Sequence, residues 1–367
     1  SNTVTTEETE TNLLTEVKGA CDDILKSYLY LTNLTKLMEH HALTPASEWF
    51  LDNFFIIEDQ FRSIKRDLPN DFYAELPKNI LGKYAGYPRV YAIAHCIVAH
   101  SDSQLSLETI KRFIVTFQTE TPLNIGELWA LFITFKIALI NRLRPLVNRI
   151  IRSFERREEA DLFADKLLEA AIDPETLPQD LVGMLSNYLK SSGKLSCAFV
   201  VQLIQRLRDQ DHSIYAVLDW LEKALNACDS CTTDLIKLEH FRQAADQVTI
   251  GNIITSMRFL SSIDWHTLLE GVNLVDPILK NDPMGAYAKM DLHTRDSYRG
   301  VIERIAKRSK GSEIEITKMA LEFAKREAAK GLSEIRKTHV GYFLIDDGVK
   351  ELEECFHYRP RIIARIN

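Results

Sequence analysis

Apolar residues in this chain recur at i, i+3, i+4 and i+7 in one segment after another, and no stretch of comparable length alternates with period two. Val147, Ile150, Ile151 and Phe154 follow that spacing, as do Tyr298, Val301, Ile302 and Ile305, and again Ile316, Met319, Ala320 and Phe323. Side chains three and four apart share one face of a helix, so the spacing predicts amphipathic helices that bury one stripe each. Tyr342 to Ile345 is the only strand-like stretch and is too short to make a sheet. The 14 Gly and 11 Pro in 367 residues are about half the ordinary share of these helix breakers. The expected fold is all-α: an irregular multi-helix bundle in two helical lobes, with long helices and little or no sheet.

Local stop and start signals divide the chain. Thr44 followed by Pro45 is an N-cap with proline at the first helical position, and that helix should end near Asp67 to Pro69. Asn124 with Glu127, and Ser312 with Glu315, have capping-box spacing. The first opens an apolar helix holding Trp129, which Pro145 should end or kink; the second should close at Gly331. Asp173 to Pro178 is the strongest boundary signal, and Ser191 to Gly193 is a further break. The expected organisation is an acidic helical segment over 1–44, an N-terminal lobe with a charged connecting helix over 45–172, and a C-terminal lobe with a basic tail over 173–367. Ser1 and Asn2 look like an expression-vector scar. No fixed repeat marks a solenoid.

Charge excludes one class of function. With Lys+Arg 45 against Asp+Glu 52 the net charge is −7, which disfavours a protein that gains affinity by neutralising nucleic-acid phosphates. The charge is unevenly placed: six acids and one base lie in residues 1–23, six bases and two acids in 295–310, and Arg359, Arg361 and Arg365 stand without an acid in the last eleven residues. Six scattered cysteines fit a reducing compartment, and the lone Cys228/Cys231 pair reads as two free thiols rather than half of a zinc site. Leu128 to Ile140, broken by Lys136, is shorter than the roughly 20 apolar residues of a membrane span and reads as a buried core helix.

Catalytic signals are weak. No Walker A loop, G-x-G-x-x-G, H-E-x-x-H or G-x-S-x-G is present. Asp209-Gln210-Asp211 reads as an acidic helix terminus, not as a metal-holding pair at a strand end, and Gln205 to Arg208 has the Q-x-x-R spacing with Asp209 in place of tryptophan. Glu48 and Asp52, beside Trp49 on one helix, have the spacing of paired acids for glycoside hydrolysis, although Arg62 and Arg66 stand close enough in sequence to tie them into a structural network. His95 with His100, and His40 with His41, lack the i, i+4 spacing of helical metal ligands. In Met290 to Arg299, Thr294 reads as an N-cap and Tyr298 falls on the apolar stripe. Arg295, Tyr298 and Arg299, with Arg359, Arg361 and Arg365, form a candidate docking surface for an acidic partner or phosphate headgroups.

The chain resembles the N-terminal region of the cyclic β-1,2-glucan synthetase family, large bacterial inner-membrane proteins. The resemblance runs from Pro45-Ala-Ser-Glu-Trp-Phe-Leu-Asp-Asn through Arg66-Asp-Leu-Pro, Tyr87-Pro-Arg-Val-Tyr and Pro122-Leu-Asn-Ile-Gly-Glu-Leu-Trp-Ala-Leu. It continues through Gln205-Arg-Leu-Arg-Asp-Gln-Asp, Asn252-Ile-Ile-Thr-Ser-Met-Arg, Asp291-Leu-His-Thr-Arg-Asp-Ser-Tyr-Arg and Gly341-Tyr-Phe-Leu-Ile to Tyr358-Arg-Pro. It implies a parent protein with membrane helices, a glycosyltransferase domain using UDP-glucose and a divalent metal, and phosphorylase-like carbohydrate domains, with no cofactor in this segment. The expected role is then a non-catalytic accessory module on the cytoplasmic face of the inner membrane, whose partners are other synthase domains and an anionic membrane surface. A glucan-binding module using Trp49, Tyr87 and Tyr91 is the alternative reading, and an α/α-toroid hydrolase a third.

Overall fold

The computed structural model describes residues 13–37, 43–67, 73, 75–173, 175–192, 196–208, 210, 212–227, 231–330 and 332–359. Among these residues the fold is all-α: sixteen α-helices and two short 3-10 turns, with one isolated β-type bridge between Lys78 and Pro88. Tyr342 to Ile345, strand-like in sequence, is helical.

The spine is α6 (Ile125–Ile172), 48 residues long and therefore about 72 Å from end to end. Its start is the capping box expected from sequence: Glu127 N–H donates to Asn124 Oδ1 at 2.7 Å and Asn124 N–H to Glu127 Oε2 at 3.0 Å. Leu128 to Ile140 is the buried core segment anticipated, apolar on nearly every side because other helices cover it. Lys136 is accommodated there by donating from Nζ to Ser63 Oγ at 2.6 Å while the ammonium sits 4.1 Å from the Phe132 ring centre. Burial still pulls its pKa down.

Pro145 does not end this helix. It sits inside α6, exposed, with Leu143, Leu146 and Val147 buried around it. An interior proline costs about 3 kcal/mol or more by removing one backbone donor, and burial of the flanking residues offsets that. The helix expected over 45–67 is likewise two helices, α2 (Pro45–Asp52) and α3 (Phe54–Asp67), parted at Asn53. Thr44 caps the first as expected.

Three apolar clusters string along the spine. The first joins α1 (Leu13–Leu37), α2, α3, α4 (Arg89–His100), α5 (Leu107–Glu120) and residues 128–151 of α6, and it takes in residues 250–272 from α10 (Thr232–Ser262) and α11 (Trp265–Val272). The second packs residues 160–167 of α6 against α7 (Pro178–Ser192), α8 (Cys197–Leu207) and α9 (His212–Asn226). The third joins Ile125 to α12 (Val275–Leu279), α13 (Leu292–Ala306), α14 (Glu313–Ala329), α15 (Val340–Ile345) and α16 (Val349–Cys355).

The three cores do not follow the sequence boundary at 173. Asp173 does end a helix, but the second core lies on both sides of it, and α10 and α11 return to the core of the N-terminal helices. The reason is the length of α6, which carries its far end beyond the first core and supplies one wall of the second. Gly193, Gly331, Pro69 and Pro174 lie outside the described residues.

Candidate functional site

A cleft of about 560 Å³ opens where α1, α4, α6 and the loop before α4 meet. Two helical spacings build it. Ala138, Asn141, Pro145 and Asn148 share one face of α6, and Tyr91 and His95 lie one turn apart on α4, with Tyr87 in the loop just before it. Tyr87 stacks on Tyr91 with ring centres 4.7 Å apart, and Tyr91 lies 4.3 Å from His95. Tyr84, from the loop, meets Tyr91 edge-on at 5.7 Å and His95 at 5.4 Å.

Hydrogen bonds fix this cluster. Asn141 Nδ2 donates to Tyr91 Oη at 2.9 Å, and Tyr87 Oη donates to Glu16 Oε2 on α1 at 2.7 Å. Burial, and then the bond to Glu16, push the Tyr87 phenol up to about 12. Burial and then the Lys83 ammonium pull His95 down to about 4, so its imidazole is neutral at physiological pH. The buried Nε2 of His95 has no hydrogen-bond partner among the described residues. Lys83, Arg142 and Arg144 line the mouth, Arg144 paired with Asp23 at 2.5 Å. Ring edges, two side-chain amides and a neutral imidazole suit a polyhydroxylated ligand, which needs apolar faces and many hydrogen bonds in directions fixed in advance.

Of the residues singled out for glucan contact, Tyr91 lines this cleft; Tyr87 is not in the lining but stacks on Tyr91 and bonds the lining residue Glu16. Tyr91 is buried and Tyr87 half-buried, while Trp49 stands on α2, outside the cleft lining and 41% exposed. Glu48 and Asp52 are also exposed on α2. Arg62 and Arg66 do not bridge them: Arg62 pairs with Glu58 and Arg66 with Asp67. Tyr84, His95, Asn141 and Asn148 were not anticipated as a site. The signal for the last two was their spacing with Ala138 and Pro145, which has meaning only once α4 is known to cross that face.

The candidate docking surface divides in two. Tyr298 and Arg299 are 3% and 4% exposed, and so belong to the interior. Arg299 Nε donates to Asp276 Oδ1 at 3.0 Å and its Nη2 donates to Asp276 Oδ2, while Nη1 donates to Asp296 at 2.6 Å. Tyr287 Oη donates to Asp276 Oδ1 at 2.8 Å, and Arg295 joins through Glu270 at 2.8 Å. Burial alone would lower the Arg299 pKa, but the bond and the charge of Asp276 raise it. Arg295 and Arg299 tie α11, α12 and α13 together through Glu270 and Asp276, and Tyr298 packs in the third core. The N-cap there is Asp291, which accepts from Thr294 N–H at 2.9 Å; Thr294 is not itself the cap.

The other half of that surface gains a neighbour. Arg359 is exposed, and its N–H donates to Arg308 C=O at 3.2 Å, which sets the start of the basic tail against the basic end of α13. Arg304 anchors the junction through Glu353 at 2.9 Å and through the Tyr358 ring. Arg361 and Arg365 lie outside the described residues, as do His40, His41, Cys228, Asp209 and Asp211. His100 is occupied locally by the Cys96 carbonyl at 2.8 Å.

No family model matches the chain. Over 328 residues, 89% of its length, it is 34% identical to the cyclic beta-(1,2)-glucan synthase NdvB of Rhizobium meliloti (strain 1021). The chain is related to one region of the cyclic β-1,2-glucan synthase family. It spans 11% of the length of that synthase. Among the described residues no helix is long and apolar enough to cross a membrane.

Proposed function

We propose that this chain is a non-catalytic helical module of a cyclic β-1,2-glucan synthase, held on the cytoplasmic face of the inner membrane, where it docks and organises other parts of the synthase. The observation that carries the reading is the alignment itself: nearly the whole chain matches, and it corresponds to about a ninth of a much longer synthase. UDP-glucose and a divalent ion would then be bound by other parts of that protein. The arrangement of charge supports a scaffold, since Arg89–Glu127, Arg149–Asp246 and Arg299–Asp276 each join separate elements of the fold. The docking surface in this reading is the basic junction of half-buried Arg308 with exposed Lys310 and Arg359. Charge reversal there, Arg308→Glu with Arg359→Glu in the full synthase, is expected to lower glucan made from labelled UDP-glucose several-fold in isolated membranes, with the melting temperature of the separate chain unchanged. Undiminished synthesis would remove this surface from the reading.

The cleft favours a second reading, in which the module also holds growing glucan. Its aromatic wall and its Asn141 and Asn148 amides are the kind of lining that neutral sugars use. Isothermal titration with linear β-1,2-glucan is expected to give saturable heat that Asn148→Ala weakens; an absence of heat at high ligand concentration removes glucan from this cleft.

A further inference from the structure

The loop between Leu76 and Pro88 is built to hold an apolar tip in water. Ile80 and Leu81 are 89% and 85% exposed, adjacent in sequence and on no helix. Exposed aliphatic side chains are common singly, but a flexible loop would fold such a pair back onto the protein. This loop is braced. Asn79 N–H donates to Tyr87 C=O and Gly86 N–H to Asn79 C=O, both at 2.9 Å, and Arg89 N–H donates to Pro77 C=O at 2.7 Å. Gly82 and Gly86 take positive φ of 86° and 82°, which glycine alone adopts without cost. Buried Leu76 and the Tyr87–Glu16 bond hold the base of the loop.

Its charge runs against that of the whole chain. Between Leu76 and Pro88 there are two lysines, Lys78 and Lys83, and no acid, in a protein of net charge −7. Both lysines are exposed on either side of the tip. Glu75, just before the loop, pairs with Lys307 at 3.3 Å, and Glu16 bonds Tyr87. Tyr84 and Tyr87 stand half-buried below, where rings with an apolar body and a polar edge suit the headgroup layer.

We propose that this loop is a lipid-surface anchor, in which Ile80 and Leu81 enter the acyl boundary of an anionic bilayer while Lys78 and Lys83 pair with headgroup phosphates. A protein partner fits less well, because a stable protein interface buries roughly 800 Å² on each side and two projecting side chains offer far less. The tip needs only to reach past the headgroups, and the lysines supply the attraction that brings it there. Lys83 and Tyr84 also line the cleft, so an anchored loop sets the mouth of the cleft near the bilayer.

The test is co-sedimentation of the full chain with vesicles rich in phosphatidylglycerol and, separately, with pure phosphatidylcholine. Binding is expected to anionic vesicles, weakened by salt and by Lys78→Gln with Lys83→Gln, and reduced roughly ten-fold or more by Ile80→Ser with Leu81→Ser. Circular dichroism and melting should not change in either double variant, because all four side chains are exposed. No binding to anionic vesicles, or binding that the serine variant leaves intact, overturns the proposal. So does a serine variant that alters the oligomeric state of the lipid-free protein, which would assign the tip to contacts between copies.

Discussion

Replacing Arg299 with alanine is expected to destabilise the protein by about 3–5 kcal/mol, the range for breaking a buried ion pair from one side. Asp276 is 1% exposed and would keep only the Tyr287 hydroxyl and its place at the start of α12. Leaving a buried carboxylate without its charged partner is costly. Arg299→Lys should recover little, because a single ammonium cannot span Asp276 and Asp296 as the planar fork does. Asp296→Ala provides the contrast: its side chain is 32% exposed, and partly exposed pairs of this kind contribute about 1 kcal/mol or less. Urea unfolding of the three variants measures the difference. Arg299→Met combined with Asp276→Leu should recover much of the loss, since removing both charges leaves no stranded carboxylate. If Arg299→Ala cost no more than Asp296→Ala, the network would not be holding α11, α12 and α13 together.

That network also shows what was legible in the sequence. Tyr298 is legible on an apolar stripe, because the stripe is a property of one helix. Arg299 is not legible in the same way, because its partner Asp276 lies 23 positions away on another helix. The capping boxes at Asn124 and Ser312 were readable for the opposite reason: each closes within three residues. Pro145 marks the limit of local rules. Its effect on an isolated helix is a break or a kink, and here α6 runs through it with buried residues on both sides.

The cleft divides along the same line. Tyr87 and Tyr91 are legible in the sequence as candidate sugar contacts. His95, one turn further on, read as an ordinary core or surface histidine, and only the crossing of α4 over α6 turns Asn141 and Asn148 toward it. The basic segments at 295–310 and 359 were each visible as composition. That their ends meet follows from the Arg359–Arg308 backbone contact, which no spacing in the sequence announces.

Glu313 went unremarked in the sequence beyond its place in a capped helix start, and it is expected to dominate the dependence of stability on pH near neutrality. Its side chain is 8% exposed and accepts from Ile125 N–H at 2.8 Å, so a residue on α14 caps the first turn of α6. Burial pushes its carboxyl from 4.5 up to about 7; the Ile125 bond opposes this, and the charges of Glu303 and Glu127 add to it. The sign follows from which state keeps the proton. Below 4.5 both folded and unfolded chains hold it, and the contribution to stability is complete. As pH rises from 4.5 to about 7 the unfolded chain ionises first, so stability falls, by about 3 kcal/mol at ~1.4 kcal/mol per unit. Above about 7 both states are ionised and the loss levels off. Glu313→Gln keeps an oxygen for Ile125 and removes the charge, so it should flatten this part of the profile and be the more stable protein on the alkaline side. Urea midpoints for both proteins across that range provide the check, and parallel profiles would show that Glu313 titrates as it does in the unfolded chain. Because Ile125 belongs to the third core while the next turns of α6 enter the first, the loosening should appear earliest as faster amide exchange at the start of α6.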